Sequence, residues 1–150
     1  MHFQVMVKPA GASCNLRCSY CFYTEKENLY GGPAPFRMPL EVLESFIRQY
    51  IECQDTPEVQ FAWQGGEPTL LGVDYFRSVV SLQEKYAGGK TVTNTIQTNG
   101  IRLSDDWCRF FKKYGFLVGL SVDGPRKLHD RYRIKGDGQP IFDAVKSGLE

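Results

Sequence analysis

Four short β-prone runs, each followed by a stretch of helical periodicity, constrain the fold of this chain more than any other feature. Phe3, Val5 and Val7 alternate with polar or flexible residues, the pattern of a half-buried strand. Beyond Pro39, which suits a first helical turn, Leu40, Leu43, Phe46, Ile47, Tyr50 and Ile51 recur at helical spacing. Val59 to Trp63 predicts a second strand, ending in Gln64-Gly65-Gly66-Glu67-Pro68. Val73, Phe76, Val79, Val80 and Gln83 predict a second helix that closes at Gly88-Gly89. Thr91 to Thr98 is β-branched and alternating, and it ends at Asn99-Gly100.

A third helix is expected after Ser104, a good N-cap, with Asp105 and Asp106 in its first turn. Trp107, Phe110, Phe111 and Tyr114 supply its apolar side, and Gly115 its stop. Phe116 to Val122 predicts a strand ending in Asp123-Gly124-Pro125. A polar loop follows, and then Ile141, Phe142, Val145 and Leu149 begin a fourth helix. Strands joined through such helices run parallel, with right-handed crossovers. The expected fold class is therefore α/β, with a parallel sheet of about four βα units. Ligands of parallel sheets bind at the carboxyl ends of the strands, where the βα loops open. Here those loops are Cys14 to Tyr23, Gln64 to Thr69, Asn99-Gly100 and Ser121 to Pro125, which are also the most unusual segments of the sequence.

Composition narrows the partners. The 150 residues are 42% hydrophobic and 23% charged, which supports a packed core and excludes disorder. A net charge of +1 creates no field to draw in nucleic acid or an anionic membrane. The longest nearly unbroken apolar stretch, Phe116 to Val122, is too short to cross a bilayer. Met1 to Ala12 lacks an adequate apolar core for a secretory signal, so a cytoplasmic protein is expected. Of five cysteines, Cys14, Cys18 and Cys21 fall within eight residues. An odd number so clustered argues against a disulfide framework and for reduced, metal-holding thiols.

Cys14-Asn-Leu-Arg-Cys18-Ser-Tyr-Cys21 is a C-x3-C-x2-C run. Three thiolates on one loop can bind three irons of a cubane iron–sulfur cluster. No fourth ligand lies close by: His2 precedes the first strand and Cys53 belongs to the first helix. Electron carriers and structural zinc sites close their metals with four protein ligands. A set of three leaves one metal corner for a bound ligand. Half of a zinc knuckle is the structural alternative.

The C-x3-C-x-aromatic-C loop after a first strand resembles the radical S-adenosylmethionine (SAM) enzymes. That resemblance implies an incomplete parallel (β/α) barrel and a 4Fe–4S cluster on Cys14, Cys18 and Cys21. It further implies SAM chelated to the fourth iron and cleaved to a 5′-deoxyadenosyl radical that abstracts a substrate hydrogen. Tyr20 is the aromatic of the motif, and the resemblance implies that it lies against SAM. Gly65-Gly66-Glu67-Pro68 resembles the family's GGEP loop, whose backbone and Glu hold the SAM amino group. Two glycines allow close main-chain approach, and a carboxylate suits an ammonium. Ser121 and Asp123 match the fourth-strand end that contacts SAM, and Arg133 matches an arginine in polar contact with it. Thr98-Asn99-Gly100 matches the third-strand turn, where ligand contact and turn chemistry look alike.

Within the superfamily, Lys8-Pro9, Cys18 to Tyr23, Trp63 to Thr69, Gln97 to Gly100 and Leu117 to Pro125 resemble the anaerobic sulfatase-maturating enzymes. The resemblance implies oxidation of a sulfatase Cys or Ser to Cα-formylglycine, with Tyr23 and Gln64 beside the substrate peptide. It also implies a sulfatase peptide or nascent sulfatase as partner, and a low-potential flavodoxin or ferredoxin as donor. Residues 1–150 would form the N-terminal part of the barrel domain. The remaining strands, the catalytic Asp base and the auxiliary-cluster region of the family have no counterpart in this sequence. Cys53 and Cys108, both on expected helices, are too few for two further cubanes and are expected to be buried. Another peptide-modifying radical SAM enzyme and a non-catalytic metal-binding remnant are the alternatives.

Overall fold

The computed structural model describes residues 3–30 and 36–149. His2, read as preceding the first strand, lies outside the described residues. Strands β1 (Val5–Val7), β2 (Glu58–Trp63), β3 (Thr91–Thr98) and β4 (Leu117–Leu120) form one sheet in the order β1-β2-β3-β4. Every neighbouring pair is parallel, with Val7 beside Trp63, Trp63 beside Ile96, and Thr98 beside Leu120. Helices α1 (Leu40–Glu52), α2 (Val73–Tyr86) and α3 (Asp105–Tyr114) connect the strands. Short helices α4 (Arg126–Tyr132) and α5 (Phe142–Ser147) follow β4.

Period two decides which sheet face is packed. Along β2, Val59, Phe61 and Trp63 are buried while Gln60 and Ala62 are only half-buried. The buried set meets Leu43, Ile47 and Ile51 of α1 and Phe76 and Val79 of α2, forming the main core. Phe61 stacks on Trp63, with centroids 5.7 Å apart, and Trp63 meets Phe76 edge to face at the same separation. A polar knot crosses this core. Asn94 of β3 accepts from Trp63 Nε1 at 2.8 Å and exchanges two 2.9 Å bonds with Gln83 of α2. Each buried group there is partnered, so the knot fixes β2, β3 and α2 in one register. The opposite sheet face carries Met6, Gln60, Ala62 and Gln97, a more polar and more open surface.

Several local expectations change. Leu40 and Leu149 are 49% and 65% exposed, although both were assigned to apolar helix faces. Pro39 sits at the N-cap of α1, just outside its first turn. Ser104 is extended ahead of α3, but its side chain makes no capping bond. The acidic pair Asp105 and Asp106 is left to compensate the N-terminal dipole. Gly115 ends α3 in the left-handed conformation (φ 64°), as its position predicts. The expected polar loop after Pro125 contains α4, a helix the sequence periodicity does not announce. Cys53 caps the C-terminus of α1 and Cys108 lies on α3, and both are exposed rather than buried.

Candidate active site

All four strand-end loops meet on one edge of the sheet. They enclose a pocket of about 200 Å³ whose wall includes Cys14, Cys18, Tyr20, Cys21, Tyr23, Gln64, Gly65, Gly66, Glu67, Ser121 and Arg133. Of the residues given a cluster, SAM or substrate role from sequence, Pro68 and Asp123 stand outside this wall. Pro68 is buried at the start of a 3₁₀ turn, Pro68–Leu71. Asp123 sits just behind Tyr20 and Arg133, bound to both. Leu16, Gln97, Thr98 and Asn99 complete the wall.

The thiolate loop leaves β1 through a turn in which Gly11 N–H bonds Lys8 O at 2.9 Å and Ser13 N–H bonds Ala10 O at 3.0 Å. Its three cysteines are free thiols. Burial pushes the Cys14 thiol up to about 11, and it raises Cys18 too, against the lowering effect of the Arg133 charge. The Cys14 sulfur accepts Leu16 N–H at 3.4 Å and Asn99 Nδ2–H at 3.8 Å. On the far side, Arg17 N–H bonds Ile134 O at 2.8 Å and Ser19 N–H bonds Tyr132 O at 2.9 Å. Cys18 and Arg133 are thus held opposite each other between two main-chain bonds. Among the described residues, no three His, Cys, Asp or Glu side chains converge as donors to a single ion.

The Gly65-Gly66-Glu67-Pro68 loop is pressed against residues 11–13. Gly66 N–H bonds Gly11 O and Glu67 N–H bonds Ser13 O, both at 2.8 Å. A Cβ on Gly66 would stand 2.0 Å from Ser13 O, and one on Gly65 (φ 118°) 2.8 Å from Gly11 O. The close approach that needs these glycines is to the chain's own backbone. Glu67 is anchored in the same loop. It is 1% exposed, and its Oε1 accepts Thr69 N–H (3.0 Å), Thr69 Oγ1–H (2.6 Å) and Thr98 Oγ1–H (2.8 Å). Oε2 accepts Asn99 N–H at 2.7 Å. With both carboxylate oxygens bonded within the chain, Glu67 braces two strand ends from the pocket wall.

At the end of β4, Gln97 Nε2–H donates to Ser121 Oγ at 2.9 Å. A Cβ at Gly119 would lie 2.3 Å from Gln97 Oε1, so only glycine lets that amide lie flat across β4. Arg133 Nε–H donates to Asp123 Oδ1 at 2.9 Å, and Tyr20 donates its hydroxyl to Oδ2 at 2.5 Å. Burial alone would raise the Asp123 carboxyl, but these two bonds outweigh it and hold it below the usual carboxylate value. Burial and the same bond push Tyr20 up to about 12. The Arg133 guanidinium also lies 5.6 Å from the Tyr20 ring centroid. At the pocket mouth, Lys8 Nζ stands 5.3 Å over the Tyr23 ring, and Gln64 donates to the Met6 sulfur.

A profile of the family described as the radical SAM superfamily matches residues 9–148, from the turn after β1 to the end of α5. The chain belongs to this superfamily. It is 48% identical over 145 residues to the serine-type anaerobic sulfatase-maturating enzyme of Bacteroides thetaiotaomicron, covering 97% of this chain and 35% of that protein. The cysteine-type enzyme of Clostridium novyi is 38% identical, with 97% of this chain and 39% of that protein covered. A solved structure described as native anSMEcpe with bound AdoMet and Cp18Cys peptide superposes with a TM-score of 0.86 at 35% identity, over 97% of this chain and 38% of that one. The chain therefore spans somewhat over a third of the length of the relatives it matches. The four parallel strands are an incomplete radical SAM barrel. Asn99 and Gln97 were not assigned a site role from sequence, although each is the polar residue at or beside a strand's carboxyl end, the one signal that marks them.

Proposed function

We propose that this chain is the N-terminal barrel portion of a radical SAM oxidoreductase of the anaerobic sulfatase-maturating kind, acting on a sulfatase Cys or Ser to give Cα-formylglycine. The observation that carries this reading is one pocket whose wall combines three free thiols with the Gly65-Gly66 loop and the Ser121–Arg133 arm. The donor set fits a 4Fe–4S cluster. Cys14, Cys18 and Cys21 share a wall without a fourth sulfur, and the Cys14 sulfur already receives two N–H donors, as cluster sulfurs do. When bound, the cluster and SAM supply reducing power and a carbon radical able to remove a hydrogen atom.

This chain's residues do the rest. Cys14, Cys18 and Cys21 hold the cluster as thiolates, against the burial that raises Cys14 and Cys18, so loading releases protons. Gly65 and Gly66 present main-chain groups to the SAM amine. Ser121 has one lone pair filled by Gln97, leaving its O–H to donate to a ligand oxygen. Arg133 spends its Nε on Asp123, which orients the guanidinium fork for a carboxylate. Tyr20 closes the cluster side. Tyr23 and Gln64, at the mouth, meet the substrate peptide. A low-potential flavodoxin or ferredoxin supplies electrons, in the reducing cytoplasm that such thiols need. No described helix is long and apolar enough to cross a membrane.

Anaerobic reconstitution with iron and sulfide tests the reading. Near four irons per chain, tight SAM binding and dithionite-dependent release of 5′-deoxyadenosine are expected. Peptides carrying Cys or Ser at the target position then report which side chain is oxidised when the full-length protein is used. Zinc retained in place of iron, or indifference to SAM, would overturn the proposal.

A further inference from the structure

His129 is a fully buried polar residue on α4, outside the pocket wall. Its side chain reaches back to the loop after β4, where Nδ1 accepts the backbone N–H of Asp123 at 3.4 Å. Its own carbonyl accepts the backbone N–H of Arg133 at 2.8 Å. Both members of the Asp123–Arg133 ion pair are therefore tied, through their main chains, to one residue. Because Nδ1 accepts, the imidazole is neutral with its proton on Nε2. That Nε2 is buried without a hydrogen-bond partner, in a setting where the Phe142 ring stands edge to face at 5.5 Å. Leaving a buried donor unpaired is costly, and a phenyl ring would fill the same space without that cost. What the imidazole adds is the Nδ1 acceptor. The next residue works the same way: Asp130 Oδ1 accepts Ile141 N–H at 2.9 Å and Phe142 N–H at 2.8 Å, fastening α5 to α4.

We propose that His129 is a positioning residue for the SAM site, setting the Asp123 turn so that Asp123, Arg133 and Tyr20 meet beside the pocket. The proposal rests on the reading of that pocket given above. Deleting the acceptor frees the Asp123–Gly124–Pro125 turn, and the carboxylate that orients Arg133 loses its fixed origin.

Two variants isolate the role. His129→Phe keeps the ring volume and removes the acceptor. His129→Asn places an amide oxygen near the Nδ1 position and restores it. In the reconstituted, SAM-free protein, hydrogen exchange at the Asp123 amide is expected to accelerate about tenfold in His129→Phe. In His129→Asn it stays near wild type, as do β3 amides in both. Equilibrium SAM binding is expected to weaken about tenfold in the first variant and to recover in the second. Nitrogen-15 spectra of the wild type, which has only His2 besides, should show the Nε2–H tautomer at neutral pH. The opposite tautomer, or wild-type exchange and affinity in His129→Phe, would overturn the proposal. Should the wild type fail to bind SAM, the pocket reading fails, while exchange and tautomer still decide the positioning role. If His129→Phe does not fold, the tautomer and the His129→Asn exchange rate remain decisive.

Discussion

Glu67 and Asn99 join the two halves of the pocket. The Glu67 carboxylate accepts the Asn99 backbone N–H at 2.7 Å, and the Asn99 side chain passes on to Asn15 Oδ1 at 2.8 Å and the Cys14 sulfur at 3.8 Å. The GGEP loop, the third-strand turn and the thiolate loop are thereby bonded into one network. A buried carboxylate without a cation is tolerable here because every donor around it points inward. Glu67→Gln turns one acceptor into a donor facing a donor. We expect it to destabilise the fold by about 2–3 kcal/mol in urea unfolding. A residue that only touched ligand would leave the unfolding midpoint unchanged.

The glycines of the same loop make a second prediction. Gly66→Ala places a methyl 2.0 Å from Ser13 O, a backbone oxygen already bonded to Glu67 N–H, so the loop must separate from residues 11–13. A loss of about 3 kcal/mol and poor cluster loading are expected. Gly88→Ala is the control, since its φ is 56° but its nearest atom is 3.8 Å away. That substitution should cost only about 1 kcal/mol, the left-handed backbone penalty alone. Equal losses in the two variants would contradict the packing argument.

Cysteine substitution separates the pocket thiols from the surface ones. Cys14→Ala, Cys18→Ala and Cys21→Ala should each lose most reconstituted iron and the associated visible absorption. Cys53→Ala and Cys108→Ala remove exposed thiols far along the helices and should retain both. Iron content and absorbance of five parallel preparations decide this.

Much of the fold was legible because period two and period 3.6 barely overlap in this sequence. Val59, Phe61 and Trp63 point one way and Val73, Phe76, Val79 and Val80 another, as their spacing demands. The pocket was legible for a different reason, since a parallel sheet brings its carboxyl-end loops together whatever their sequence. Helix α4 was not, because Arg126-Lys-Leu-His-Asp-Arg-Tyr132 has a single fully buried side chain, and that one is a histidine. Main-chain bonds from Leu128 and His129 to Pro125 O and from Arg133 to His129 O build that helix, with the Asp123 N–H on the His129 ring, and no apolar periodicity announces it. The bracing role of Glu67 was not legible for a related reason. A carboxylate at a ligand edge looks the same in sequence whether it faces the ligand or the strand behind it. Cys53 and Cys108 misled because small apolar residues on helices are usually buried, yet both are exposed here.

His129 also makes stability respond to mild acid. Burial first, and then the Arg133 charge, hold its imidazole below the ordinary value, while Asp123 and Asp130 pull in the opposite direction. Phe142, with the Arg126 guanidinium 4.9 Å from its centroid, closes the α5 side without an acceptor for a second proton. The unfolded chain takes up a proton near pH 6.5, whereas the folded one resists it. Within that window the unfolded state binds more protons, so stability rises with pH. The contribution is complete above about pH 6.5 and is lost as pH falls toward the depressed folded value. Protonation also turns Nδ1 into a donor facing the Asp123 N–H, releasing the turn. The urea midpoint of the wild type should drop between about pH 7 and pH 5, and that drop should be absent in His129→Asn, which cannot titrate. Carboxylates such as Asp123, held below the usual range, act only at lower pH and leave this window clear. Parallel slopes for the two proteins would show that the buried imidazole is not the group responsible.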